Sequence, residues 1–245
     1  MRRVERALTK MEYLERDQAI LALCRGRTVL HLGCVGFTDC SFSDRVRQAK
    51  ESLHWSLSQM ARVTGIDSSA AVVREYQRLG AFNNIIVGDV ERLDELEIAD
   101  KFDVILIADI IEHLSNPGLM LEGIKNFCWP DTQIVVTTPH AFGLPNYLRF
   151  LTDRFHEGAE HVMTFNMHNV RNFLERHGYR IEEISTCWQV YAKQRGILFT
   201  LGRNFFSYFP KLGGTLFVVA TPGWQIVEPR EVAAHAVHNH RQCQA

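Results

Sequence analysis

No run of apolar residues in this 245-residue chain reaches the roughly 18 that a membrane-spanning helix needs, so no transmembrane segment is expected. The opening residues, Met1 to Arg6, are followed by no apolar h-region, and no secretory leader is expected. Cysteine is scattered: Cys24, Cys34, Cys40, Cys128, Cys187 and Cys243 include no C-x-x-C pair. That argues against a cysteine zinc site and for free thiols in a reducing cytoplasm. Net charge is nearly absent, at -1, so no overall basic field exists to hold a nucleic-acid backbone, and nucleic acid is not expected as a partner. Internal repeats and low-complexity blocks are absent too.

What is present is an ordinary globular balance, 46% hydrophobic and 22% charged, enough to bury a sizeable core. The chain is arranged around Val29-Leu30-His31-Leu32-Gly33-Cys34-Val35-Gly36-Phe37. A short apolar run reads as a buried strand. It stops at Gly33, and Gly36 follows. Glycines at a strand end allow a tight turn and a close approach of ligand to main-chain N–H groups, as in a nucleotide-binding turn. A plain strand-to-helix turn uses the same residues.

Residues 4 to 24 carry Val4, Leu8, Met11, Leu14, Ile20, Leu21 and Leu23 at roughly helical spacing. A second helix is expected over 42–60, with Ser41 or Ser43 as N-cap. Four more strands follow, at Arg62–Asp67, Ile85–Asp89, Phe102–Ile110 and Gln133–Thr138, separated by helical segments that Gly80 and Pro117 punctuate. Apolar strands alternating with helices predict an α/β fold, a mainly parallel sheet covered on both faces. Asn166 caps a further helix stopped by Gly178. Tyr179–Val190 and Thr215–Thr221 make seven strands, and the short approach through Gly213-Gly214 suggests that the last one enters antiparallel. The expected organisation is an N-terminal helical segment (1–24), a main domain (25–224) with insertions at 141–168 and 191–212, and a mobile tail (225–245).

Three strand ends then align: Gly33 to Gly36, Asp67 and Asp89. Ligands of open parallel sheets bind outside the carboxyl ends of the strands. A carboxylate after the second strand can accept from two ribose hydroxyls, and one after the third from an adenine amino group. Each aspartate alone would serve equally as a helix N-cap. Together with Phe102 through Leu114, these stretches resemble the successive motifs of class I S-adenosylmethionine-dependent methyltransferases, over roughly residues 20 to 222. The resemblance implies a Rossmann-like seven-stranded sheet with S-adenosyl-L-methionine as cofactor and S-adenosyl-L-homocysteine as product. It implies that His31, Gly33, Cys34 and Gly36 cradle the methionine part, that Asp67 and Ser68 hold the ribose, and that Asp89 and Val90 meet the adenine. Ala108 and Asp109 would line the sulfonium side. The family usually has an acid where His31 stands and often glycine where Val35 stands.

A second constellation is rich in histidine. Glu112-His113 follows the fourth strand and His140 the fifth, while His156, Glu157, Glu160 and His161 lie in the insertion. Histidine titrates near neutrality and can take a proton from an attacking hydroxyl, so His113, His140 and His161 are the candidate bases. Asp109, Glu112, His113 and His161 also have the ligand types of a mixed oxygen/nitrogen divalent-metal site. That arrangement is similar to small-RNA 2′-O-methyltransferases and some ubiquinone-pathway O-methyltransferases, which share a Thr-Pro dipeptide (Thr138-Pro139 here). Without metal, Glu112 and His113 would bond neighbouring loop backbone, and this is the preferred expectation. The aromatic stretch Phe199, Phe205, Phe206, Tyr208, Phe209 reads as core, as a lid, or as a membrane-surface element flanked by Arg195, Arg203 and Lys211.

The reading is an S-adenosylmethionine-dependent methyltransferase acting on a small-molecule acceptor, with O-methylation favoured. A metal-assisted 2′-O-methyltransferase on RNA and a non-catalytic cofactor-binding module are the alternatives. An NAD-dependent oxidoreductase would call for G-x-G-x-x-G, and the chain has only Gly33-x-x-Gly36.

Overall fold

The central strands form around short runs of β-branched residues and leucine, such as Val104–Ile107 and Ile134–Val136. In chain order they are β1 (Tyr13–Glu15), β2 (Thr28–Leu32), β3 (Arg62–Asp67), β4 (Ile85–Val87), β5 (Phe102–Ala108), β6 (Cys128–Pro139), β7 (Tyr179–Trp188) and β8 (Thr215–Pro222). They make one sheet in the order β1-β7-β8-β6-β5-β2-β3-β4. β2 pairs parallel with β3 and β5, β3 with β4, β5 with β6, and β1 with β7. β8 is antiparallel to both of its neighbours, β6 and β7, as its short approach suggested. The computed structural model describes residues 11–36, 41–152, 160–188 and 197–224, without the side chains of 42, 45, 46 and 197–199. Expectations resting on Val4, Leu8, Phe37, His156, Glu157, Arg195, the Phe199 side chain and 225–245 lie outside the described residues.

The sheet has eight strands where seven are read from the sequence. The extra one, β1, lies in the stretch that looked helical. The Glu15 carboxylate accepts from the N–H groups of Asp17 and Gln18 and so caps α1 (Arg16–Cys24) there. Tyr13–Glu15, upstream of that cap, extend and pair with the end of β7. The helix expected over 42–60 is likewise divided, into α2 (Phe42–Arg47) and α3 (Leu53–Ser58), with a 3₁₀ turn at Gln48–Glu51 between them. Ser52 makes the break: its hydroxyl accepts from the Trp55 N–H at 3.1 Å and starts a new helix.

The remaining helices are α4 (Ala70–Arg78), α5 (Pro117–Gly123), α6 (Leu144–Leu151), α7 (Met167–Arg176) and α8 (Ile197–Tyr208). Alternation along the strands sends successive side chains to opposite faces. Leu30, Leu32, Ile105, Ile107, Ile134 and Val136 meet Met120 and Leu121 of α5 and Val170 and Leu174 of α7. Val29, Val104, Leu106 and Val135 meet Ile20 and Cys24 of α1 and Leu57 of α3 on the other face. Each such aliphatic side chain contributes about 1.5–3 kcal/mol on burial. That two-sided packing fixes the strand ends, and the loops between them are placed by it. Cys24, Cys34, Cys128 and Cys187 are buried free thiols. Among the described residues no helix is long and apolar enough to cross a membrane.

Candidate active site

At the end of β2 the chain turns through Gly33 and Gly36, with φ of 66° and 75°, in the left-handed region that favours glycine. A Cβ at Gly33 would also collide with the Ile110 side chain. The turn is held from the next strand. Asp67, at the end of β3, accepts the Val35 N–H on Oδ2 and the Ser69 N–H on Oδ1, both at 2.8 Å. One buried carboxylate thus ties the glycine turn to the start of α4, and each oxygen keeps a second acceptor site. Asp89 follows β4 and is exposed. Its Oδ1 accepts the Glu91 N–H at 2.9 Å, while Val90 beside it is buried.

Asp109, just past β5, has φ of 49°, a conformation that aspartate tolerates better than most residues. Three contacts with two residues hold it there. Its N–H donates to the Thr137 carbonyl, the Thr137 hydroxyl donates to Oδ1 at 2.9 Å, and Arg16 of α1 pairs with Oδ2. Arg16 is buried and also pairs with Asp17. Sequence alone singles out neither Arg16 nor Thr137, and marks Thr138 only as part of the Thr138-Pro139 dipeptide. A Thr-Thr pair closing a buried strand was the available signal, because one of the two must face a neighbouring loop.

These strand ends border a cleft of about 180 Å³. Of the residues expected at a cofactor site or as bases, Gly33, Gly36, Asp67, Ser68, Asp89, Val90, Asp109 and His113 line it, joined by Ser69, Gly88, Ile110 and Leu114. His31, Cys34, Ala108, His140 and His161 are placed elsewhere. His31 is buried with its Nδ1 3.2 Å from Nδ1 of His54 on α3. Burial, the facing His54 and Arg16 hold its pKa well below the usual histidine value. Cys34 packs with Val72 and Val73 of α4, and burial pushes its thiol well up. Ala108 packs on the α1 side of the sheet. His140 is buried with its Nδ1 3.0 Å from the Gly213 carbonyl, and burial lowers its pKa.

Beside the cleft, Glu112 is 2% exposed. It accepts from the Thr138 hydroxyl at 2.9 Å, and its carbonyl takes the N–H groups of Val162 and Met163. Burial, then the nearby Asp109 charge, push its carboxyl up to about 8, so it is mostly protonated at pH 7. The His113 ring lies edge-on to that of His161, centroids 4.6 Å apart. Burial and His161 lower the His113 pKa. Its Nδ1 is 3.3 Å from the Glu160 carbonyl. A carbonyl only accepts, so this contact calls for the hydrogen on Nδ1. One ligand atom each from Glu112, His113 and His161 lies within 4.8 Å of the others. Asp109, the fourth expected ligand, is engaged by Arg16 and Thr137.

With this geometry the chain is similar to solved methyltransferases. A S-adenosylmethionine-dependent methyltransferase from Archaeoglobus fulgidus superposes with a TM-score of 0.52 at 16% identity, over 84% of this chain and 91% of that one. One from Aquifex aeolicus gives 0.51 at 17%, over 85% and 90%. The N-methyltransferase NodS from Bradyrhizobium japonicum, solved with S-adenosyl-L-homocysteine, gives 0.50 at 15%, over 85% and 86%. At such identities these are likenesses of fold. No curated protein matches by sequence. The model of the methyltransferase-domain family matches residues 19–184, well over half of the chain. The chain belongs to that family and is a class I S-adenosylmethionine-dependent methyltransferase.

Proposed function

We propose that the cleft is the S-adenosylmethionine site and that the methyl group goes to the hydroxyl of a small-molecule acceptor. The observation that carries the reading is the meeting of four strand ends in one cleft: the glycine turn, Asp67, Asp89, and Asp109 with His113. The donor set suits this cofactor. Asp67 retains acceptor capacity for a ribose diol, and exposed Asp89 retains it for an adenine amino group beside the apolar Val90. Gly33 and Gly36 bring main chain that carries no Cβ to the cleft wall, where the amino-acid end would lie. Bound there, the cofactor supplies an electrophilic methyl on a sulfonium, which the acceptor oxygen takes in line. Holding the two partners in register supplies much of the acceleration. His113, which lines the cleft, is the residue assigned to receive the hydroxyl proton. In this reading the acceptor would lie between the cleft and residues 141–152 and 200–208. Titration calorimetry with S-adenosyl-L-homocysteine tests the site. Asp89→Ala should weaken binding by about tenfold, on the scale of one charge-assisted hydrogen bond; unchanged affinity refutes the placement. With labelled S-adenosylmethionine and a panel of hydroxyl and amine acceptors, His113→Ala should lower turnover by roughly 10²–10⁴-fold on a hydroxyl acceptor.

A second reading rests on the convergence of Glu112, His113 and His161. Ligand atoms that share one divalent ion stand about 3–4 Å apart, so modest side-chain rotation would complete a site. A bound cation would draw the proton off Glu112 and acidify an acceptor hydroxyl. Activity after chelation, and after readdition of magnesium, manganese or zinc, separates the readings. Full activity in excess chelator, with an unchanged rate in Glu112→Gln, leaves His113 to act without metal.

A further inference from the structure

We infer that helices α6 and α8 form a surface that docks on an anionic lipid bilayer. Both helices sit at the carboxyl edge of the sheet, α6 following β6 and α8 preceding β8. The start of α6 meets the turn that joins α8 to β8: a Cβ at Gly143, which leads into α6, would collide with the Gly213 carbonyl, and one at Gly214 would stand 3.5 Å from Pro145. α6 buries none of its residues fully. Tyr147, Leu148 and Leu151 are 53%, 51% and 59% exposed. On α8, Phe206 turns inward, its ring centroid 5.1 Å from that of Tyr13. Leu201, Phe205 and Tyr208 recur at i, i+4 and i+7 on another side, and Tyr208 is 83% exposed. Apolar surface gathered this way on a water-facing molecule marks an interaction site.

Charge identifies the occupant. Residues 139–152 and 197–224 contain no aspartate or glutamate, and they carry Arg149, Arg203 and Lys211, all exposed. Asp153 and Glu157, which follow α6, lie outside the described residues. A second copy of this chain would bring like charges together. A layer of anionic headgroups supplies the opposite sign, and tyrosine and phenylalanine rings favour the boundary between headgroups and acyl chains. The helices have 8 and 12 residues, too short to span a bilayer, so the surface lies on it.

The test is flotation of the full chain with vesicles of equal parts phosphatidylcholine and phosphatidylglycerol, against vesicles of phosphatidylcholine alone. Partitioning into the anionic vesicles should be at least about tenfold higher and should fall as salt is raised. Leu201→Ser combined with Phe205→Ser removes exposed anchors, and should cut binding at least about tenfold with an unchanged melting temperature. If that pair disturbs folding, Arg203→Glu decides, because an exposed charge reversal leaves the fold intact and should lower anionic binding about fivefold or more. Equal or absent binding to both vesicle types overturns the inference, as does binding that the variants retain. Self-association that the paired substitution abolishes, without vesicle binding, would assign the face to a second copy and overturn it equally.

Discussion

Asp67 is the residue on which the cleft turns, and its first task is structural. Its two oxygens hold the N–H groups of Val35 and Ser69, so the loops after β2 and β3 are one unit before any ligand arrives. Asp67→Ala should therefore show two effects. The melting temperature should fall, because two part-buried donors lose a charged acceptor worth about 1.5–3 kcal/mol. Affinity for S-adenosyl-L-homocysteine should drop by about tenfold or more. Asp67→Asn, which keeps one acceptor oxygen, should lie between. Calorimetry and melting together check this; a variant with wild-type values on both would remove Asp67 from the site and from the scaffold. Arg16 is the complementary case. Its partner Asp109 is 93 positions away, and no local pattern ties an arginine in an amphipathic stretch to a loop after the fifth strand. Arg16→Ala leaves Asp109 without its cation beside a protonated Glu112, and should destabilise the fold by about 1–3 kcal/mol, measurable by denaturant titration.

Between β2 and α3 lies a buried histidine pair that gives the scaffold a pH dependence of its own. His31 meets His54, and His54 reaches Asn84, whose amide donates to the Val63 carbonyl at 2.9 Å. Burial lowers the His54 pKa to about 4 and holds that of His31 well below its ordinary value, with His54 adding to the effect. In the unfolded chain both titrate near 6.5, so below that pH the unfolded state binds more protons than the folded one. Stability contributed by the neutral pair is full above about pH 6.5 and is lost as pH falls toward 4. The loss for His54 alone is on the order of 3 kcal/mol. His54→Gln should flatten the decline in melting temperature between pH 6.5 and 4.5; an unchanged slope would exonerate the pair. The elements around this pair also show what the sequence reveals. β2, β5 and β6 were legible from their short apolar runs, and β3 from Val63 and Ile66 closing on Asp67. α7 was legible from Asn166, whose capping box is present. The break at Ser52 was hidden, since a serine inside an amphipathic stretch reads equally as a helix residue or a cap. β1 was hidden because three residues carry no period, and their partner in β7 is over 170 positions away. Asp67 and Asp89 at strand ends were visible, whereas the hydroxyls of Thr137 and Thr138 became meaningful only once β6 lay beside β5.

At the scale of the molecule, the two-sided core fixes the sheet, and the cleft is the one border where β2, β3, β4 and β5 all release their chains. A ligand there bonds loops that the Asp67 carboxylate and the Asn116–Glu91 hydrogen bond already link in pairs. Binding should therefore act on global stability as well as on local order. At a free concentration of S-adenosyl-L-homocysteine one hundred times its dissociation constant, linkage gives about 2.7 kcal/mol of stabilisation. For a domain of this size each kcal/mol moves the midpoint by about 2–4 °C, so the melting temperature should rise by about 5–10 °C. NADH at the same concentration should leave it unmoved, because the turn lacks the three-glycine spacing of a dinucleotide site. Hydrogen exchange should slow together at residues 33–36, 67–69, 88–90 and 109–114, and remain unchanged on β8, which contributes nothing to the cleft lining. Protection confined to one of those loops, or a shift produced equally by NADH, would mean that the strand ends do not act as a single cofactor site.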